Sequence, residues 1–186
     1  MITNISTPPT EEPVTLAEAK AHIGLTHDSD DDLVNRMIQT AREEAESFLR
    51  GSIMPQTIIG YLDCFADVID IPFPPLRSVD SIQYVDSDGA LQTLDTSVYE
   101  VDLHGKRVYR AYGQSWPTVR NQPLAITIIF QSGYADSDSV PAKIKSAILL
   151  LVGEMYENRE EQSIGVSKSS NTITAERLLW PLRDLR

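Results

Sequence analysis

Apolar positions along the chain fall into two periods. Between residues 14 and 55 and again after 135 they recur every three or four residues. Between roughly 56 and 134 they alternate or form short β-branched runs. The first period predicts helices and the second strands. Thr15-Leu16-Ala17-Glu18 has the spacing of a capping box, in which the Thr15 hydroxyl accepts from a free amide and Glu18 reaches back. Val14 is placed to act as a hydrophobic staple, Leu16, Ala19 and Ile23 mark one face, and Gly24 is a C-terminal stop. A second helix is expected after HDSDDD. Leu33, Met37, Ile38, Ala41, Ala45, Phe48 and Leu49 lie on its apolar side, and Arg36, Arg42, Glu43 and Glu46 on its polar side. Gly51 ends it and Pro55 prevents it from resuming.

The middle stretches QTIIGYLD, SIQYVDSDGALQTLD, VYEVDLHGKRVY and LAITIIF predict four to six short, mostly antiparallel strands. DSDG and DLHGK read as hairpin turns, and PFPPL as an edge or a connection, because proline cannot donate to a central ladder. SVPAKIKSAILLLVGEMYENRE then returns to helix. Ser139 lies near its cap and Pro141 in its first turn, with Ile144, Ile148, Leu151, Val152 and Met155 on one face. Leu149 and Leu150 make its middle apolar nearly all round, the pattern of a buried helix, and it is expected to pack on the second helix.

The fold class this predicts is α+β: a helical bundle of about three to four helices with an inserted small antiparallel β lobe. Residues 1–13, with three prolines and two glutamates, are expected as a flexible or extended arm. Residues 14–55 and 135–161 form the helical core, and 56–134 the β lobe. Residues 162–186 form a polar loop (162–175) and an apolar tail. That tail, ERLLWPLRDLR, carries four leucines and a tryptophan where a chain end is ordinarily polar. It either packs back on its own helices or is held by a partner. Both readings stand, and Leu178, Leu179, Trp180, Pro181, Leu182 and Arg183 are the candidate docking residues.

Composition narrows the function. The 186 residues are 41% apolar, enough for a sizeable core, and the formal net charge is −11. A dedicated nucleic-acid binder needs a basic face, so that class is disfavoured, whereas a surface that DNA passes without sticking is not. Cys64 is the only cysteine, which excludes an internal disulfide and a cysteine metal cluster. The first residues lack a charged region followed by an apolar core, so no secretory signal is expected. The run AILLLVG falls far short of a membrane span. The expected setting is a reducing cytoplasm.

Candidate chemistry is sparse. Asp28, Asp30, Asp31 and Asp32 lack the glycine and glutamate of a calcium loop, since Leu33 and Gln39 stand in those places. Helix capping is the plainer reading. Asp86-Ser87-Asp88-Gly89 reads as a turn. His22, His27 and His104 have no metal-ligand spacing. Glu154, Glu157, Glu160 and Glu161 read as a solvated helix end, and Trp116 as a plug of the β lobe. No phosphate-binding or nucleophile motif occurs. No catalytic residue, metal or cofactor is expected.

The order of segments carries more. EPVTLAEAKAHIGL, an acidic linker and DDLVNRMIQTAREEAESFL resemble the N-terminal signature of the head–tail connector, or adaptor, proteins of tailed bacteriophages and prophages. PFPPLRSVDSIQYVDSDGALQTLD, AYGQSWPTVR and ITIIFQSGYAD resemble the β insertion of one branch of that family. VPAKIKSAILLLVGEMYENRE resembles its central helix and ERLLWPLR its closing segment. The loop SIGVSKSSNTITAER departs from the pattern. The resemblance implies a structural virion protein without catalysis, assembled in the bacterial cytoplasm. It implies a ring of identical subunits, twelve in the particle, beneath the portal protein. Such a ring extends the DNA channel, meets a tail-completion or stopper protein, and has no membrane partner. The alternatives are a stopper or tail-completion protein, or a ligand-binding or enzymatic domain using Asp63, Cys64 and His104.

Overall fold

A computed structural model describes residues 1–158 and 170–184. The expectations for residues 159–169, including Glu160, Glu161 and most of the polar loop, lie outside the described residues. The protein is mixed α+β, with four α-helices and two antiparallel sheets among the described residues. It divides into two compact units. One comprises Met1–Pro9 and Pro55–Gly133, the other Thr10–Met54 and Tyr134–Arg186.

In the first unit, β1 (Ile2–Thr7), β2 (Gln56–Leu62), β4 (Leu76–Val85), β5 (Leu91–Thr93) and β8 (Ile126–Ser132) form a sheet of order β1-β2-β8-β4-β5. Three further strands, β3 (Val68–Asp70), β6 (Tyr99–Asp102) and β7 (Arg107–Arg110), form a sheet of order β3-β7-β6. The central strand β8 alternates strictly, with Ile126, Ile128, Phe130 and Ser132 buried. It pairs in register with β2 from Gln56↔Ser132 to Leu62↔Ile126. Both sheets close over one core in which Ile58, Ile82, Ile126, Ile128 and Phe130 meet Ile69, Tyr99 and Val108. The expected turns form for a definite reason. Asp86 Oδ1 accepts from the Asp88 and Ala90 amides, and Oδ2 from the Gln92 side chain. Those bonds, the Gln92 bond foremost, hold the Asp86 carboxyl below its ordinary value. Gly89 supplies the positive φ of 89° that this turn requires. Asp102 does the same for His104 and Gly105. PFPPL connects β3 to β4, with only its leucine entering the strand. Trp116 stacks on Phe65 at 4.6 Å, partly buried against this core.

In the second unit, α1 (Leu16–Ile23) begins with the complete capping box and ends at Gly24 in the left-handed region. The Thr15 amide, and then its hydroxyl, hold the Glu18 carboxyl below its ordinary value. Val14 is buried. α2 (Asp31–Leu49) and α3 (Ala142–Glu157) share a core of Val34, Met37, Ile38, Ala41, Ala45, Ile144, Ala147, Ile148, Leu151 and Val152. Ser139 is not the cap of α3. It closes a turn with Asp136, three residues earlier, and Pro141 takes the cap position.

Two segments differ from expectation. Residues 2–7, expected as an arm, are strand β1, because β2 offers a free ladder that no local pattern reveals. Residues 170–175, expected as loop, open α4 (Ser170–Leu179), which runs into a 3-10 turn at Trp180–Leu182. Serine, threonine and asparagine weaken the helix signal there, and burial of Ala175 and Leu179 in the helical core overrides it.

Phe130→Ala is expected to destabilise the β-sheet unit by about 3–5 kcal/mol. Denaturant unfolding followed through Trp116 fluorescence, with Trp180 replaced by Phe, would measure it. A loss below about 1 kcal/mol would contradict the assigned core.

Candidate docking surface

The C-terminal end of α2 gathers three separate segments of the helical unit. The first contact is electrostatic. Arg42 is 4% exposed, although its place in the sequence pattern puts it on the polar side of α2. Its Nε donates to Glu12 at 2.8 Å, and its Nη1 to Glu46 one turn further along the helix, also at 2.8 Å. Glu43 stands at 3.6 Å. The other oxygen of Glu46 accepts from the Ile53 amide at 2.7 Å, which fixes the chain as it leaves the helix. Burial pushes the Glu46 carboxyl above its ordinary value, and the Ile53 amide and Arg42 oppose that shift. The network thus ties the lead-in to α1 and the exit from α2 to one guanidinium.

The second contact is the tail. Leu179 is buried and Leu178 partly buried against the helical core. The chain then turns outward. Trp180 is 59% exposed and Leu182 39%, with Pro181 exposed between them. Trp180 leans on Phe48 of α2 with ring centroids 6.2 Å apart. The Arg183 guanidinium carbon lies 5.1 Å from the Phe48 ring and 5.6 Å from that of Trp180, within cation–π reach of both. Arg183 Nε is buried without a hydrogen-bond partner among the described residues. The Asp184 amide donates to the Leu49 carbonyl at 2.9 Å, answering one of the orphan acceptors at the end of α2. The six tail residues are therefore divided. Leu178 and Leu179 anchor the segment, whereas Trp180, Pro181 and Leu182 form an apolar, outward patch braced by Arg183.

The remaining sequence candidates do not converge. Asp63 accepts from the Leu124 amide, Cys64 is exposed, and His104 lies in the exposed turn after β6. Among the described residues no group of histidine, cysteine and carboxylate side chains could hold a metal ion. The acidic linker does not cap α2 through a side chain. Instead Lys20 bridges Asp28 at 2.6 Å and Asp31 at 2.7 Å, and Asp30 accepts from the Tyr156 hydroxyl. No described helix is long and apolar enough to cross a membrane.

Comparison with solved structures shows a shared fold. It matches a chain from the neck of an empty gene transfer agent (GTA) particle computed with C6 symmetry, with a TM-score of 0.81 and 19% identity. It also matches a chain from the virion of a native gene transfer agent particle, at 0.79 and 20%. A third match, at 0.78 and 20%, comes from the neck of the native particle computed with C12 symmetry. Each match covers 100% of this chain and 97% of the other. Residues 13–89 match the family of phage gp6-like head-tail connector proteins. The resemblance to that family is therefore shown. No curated protein matches the chain.

Arg42→Met is expected to cost about 3–5 kcal/mol at neutral pH, because it leaves the Glu46 carboxylate buried and unpaired. The pH dependence has a definite sign. The folded state holds the Glu46 proton more tightly than the unfolded chain, so acid favours the fold. The variant's deficit shrinks as pH falls from neutral toward the ordinary glutamate value of 4.5, and Arg42→Met with Glu46→Gln recovers much of it. Chemical denaturation across that range would check this, and a pH-independent deficit would contradict it.

Proposed function

We propose that this protein is a structural head–tail connector, an adaptor at the head–tail junction of a tailed-phage-like virion. The observation that carries the reading is the head-tail connector match over residues 13–89, joined to a fold shared end to end with neck proteins. The protein works as a ring of identical subunits. The neck structures it resembles were computed with sixfold and twelvefold symmetry, and the ring proposed here has twelve copies. It docks below the portal protein, extends the DNA channel and offers its far side to a tail-completion or stopper protein. The helices act as a bundle carrying the β unit as an inserted lobe. The role is positional, with no catalysis.

Two properties support this role. A net charge of −11 repels passing DNA instead of holding it. A ring needs heterologous contacts, one face of a subunit against a different face of the next, and the patch of Trp180, Pro181 and Leu182 is of the required kind. Tryptophan and arginine are the types most enriched at binding hot spots. The tail segment is the proposed docking element, packed by Leu178 and Leu179 and presented to the portal or a neighbouring subunit through Trp180 and Arg183.

Trp180→Ala is expected to weaken attachment to the portal or the ring by about 2 kcal/mol or more, roughly thirtyfold. The isolated subunit should lose only about 1 kcal/mol, the worth of one aromatic pair. Co-sedimentation with portal protein alongside thermal unfolding separates the two effects. Unchanged attachment would overturn the docking role of the tail. Attachment to a tail-completion protein but not to the portal would move the protein one position down the neck.

A further inference from the structure

Strand β1 is held in a way that suits exchange. It is the first strand of the chain and the outer edge of its sheet. It pairs with β2 from Ile2↔Tyr61 to Thr7↔Thr57, with one irregularity between Ile5 and Thr7. Its side chains bury little. Ile2 is 67% exposed, Ile5 53% and Met1 41%. Ile5 faces the same side as its partner Ile58, which is 1% exposed in the core, yet half of Ile5 remains uncovered. The strand is held mainly by its main-chain ladder.

The receiving strand is shaped for it. A Cβ on Gly60 would stand 2.6 Å from the Met1 sulfur, so the glycine leaves the space that the Met1 side chain fills. Without β1, β2 would present a bare edge beside core residues. The connection that follows β1 begins with Pro8 and Pro9, which favour an extended path over one that turns back. Beyond it, Glu12 is fixed by Arg42. A strand held by a main-chain ladder, with few buried side chains and a stiff hinge, is an element that identical subunits can trade at low cost, since the same bonds re-form in the same register.

We infer that β1 is exchanged in the assembled ring: Ile2–Thr7 of each subunit pairs with Gln56–Leu62 of the next copy. The occupant is a second copy of this chain, because the ladder that β2 offers is already matched to this sequence from Ile2↔Tyr61 to Thr7↔Thr57, with a single irregularity. Each subunit gives one strand and receives one, so a closed head-to-tail series leaves every β2 paired. The inference rests on the ring reading above.

The test uses the full chain with Cys64→Ser. Asn4 and Ile59 are partners across β1 and β2. Opposed residues in an antiparallel pair have Cα atoms about 4.5–5.5 Å apart, within disulfide reach. The double variant Asn4→Cys with Ile59→Cys should cross-link within one chain in isolated subunits, which establishes the pairing. Subunits carrying Asn4→Cys alone are then mixed with subunits carrying Ile59→Cys alone, assembled with portal protein and oxidised. The expected result is a prominent product of twice the subunit mass, absent from the same mixture before assembly. A ring of full mass without that product, in which the double variant still cross-links only within one chain, would overturn the exchange and leave the connector reading standing. Failure to form any ring, alone or on the portal, would overturn both.

Discussion

A single guanidinium, that of Arg42, is surrounded by carboxylates at the C-terminal end of α2, and the helical unit is organised around it. Glu12 brings the lead-in to α1 against α2, and Glu46 passes the constraint to the Ile53 amide where the chain leaves the helix. A charge buried to 4% exposure is tolerable only when it is paired and hydrogen-bonded, so these segments have little freedom to drift. The same helix end receives the tail through Phe48 and the Leu49 carbonyl. The proposed ring needs a rigid body behind its contacts, and this convergence supplies it.

The β unit obeys a different constraint. Its centre, β8, is apolar on alternate residues and is paired on both sides, by β2 and β4. Its edges are β1 and the three-residue β5. The short edge is exposed at every position, as expected for a strand that must not recruit unwanted partners. The longer edge carries uncovered isoleucines. That asymmetry between the two edges would give the proposed strand exchange its direction.

The sequence disclosed most where local chemistry was sufficient. Thr15 and Glu18 announced their capping box, Asp86 and Gly89 their turn, and Ile144, Ile148, Leu151 and Val152 the buried face of α3, with Leu149 and Leu150 only partly covered, since each depends on residues within one or two turns. The resemblance to connectors was legible in the order of segments. What stayed hidden depends on distant partners. Arg42 reads as a surface residue until Glu12, thirty positions earlier, is seen to reach it. An arginine followed at four residues by glutamate beside an apolar stripe is the signal that was there to find. β1 exists only because β2 is there to pair with it. The start of α4, rich in serine and threonine, is helical because its later turns dock. For the docking surface, the apolar character of the tail was visible, but the division between the inward Leu178 and Leu179 and the outward Trp180, Pro181 and Leu182 required the structure.

The central claim is that this chain builds the ring of a phage-like neck. The most direct test is the mass of the assembly by light scattering over a concentration series, with and without portal protein. Twelve copies of 20.7 kDa predict a closed species of about 250 kDa, alone or on the portal. A subunit that remains monomeric at every concentration and ignores the portal would contradict the account.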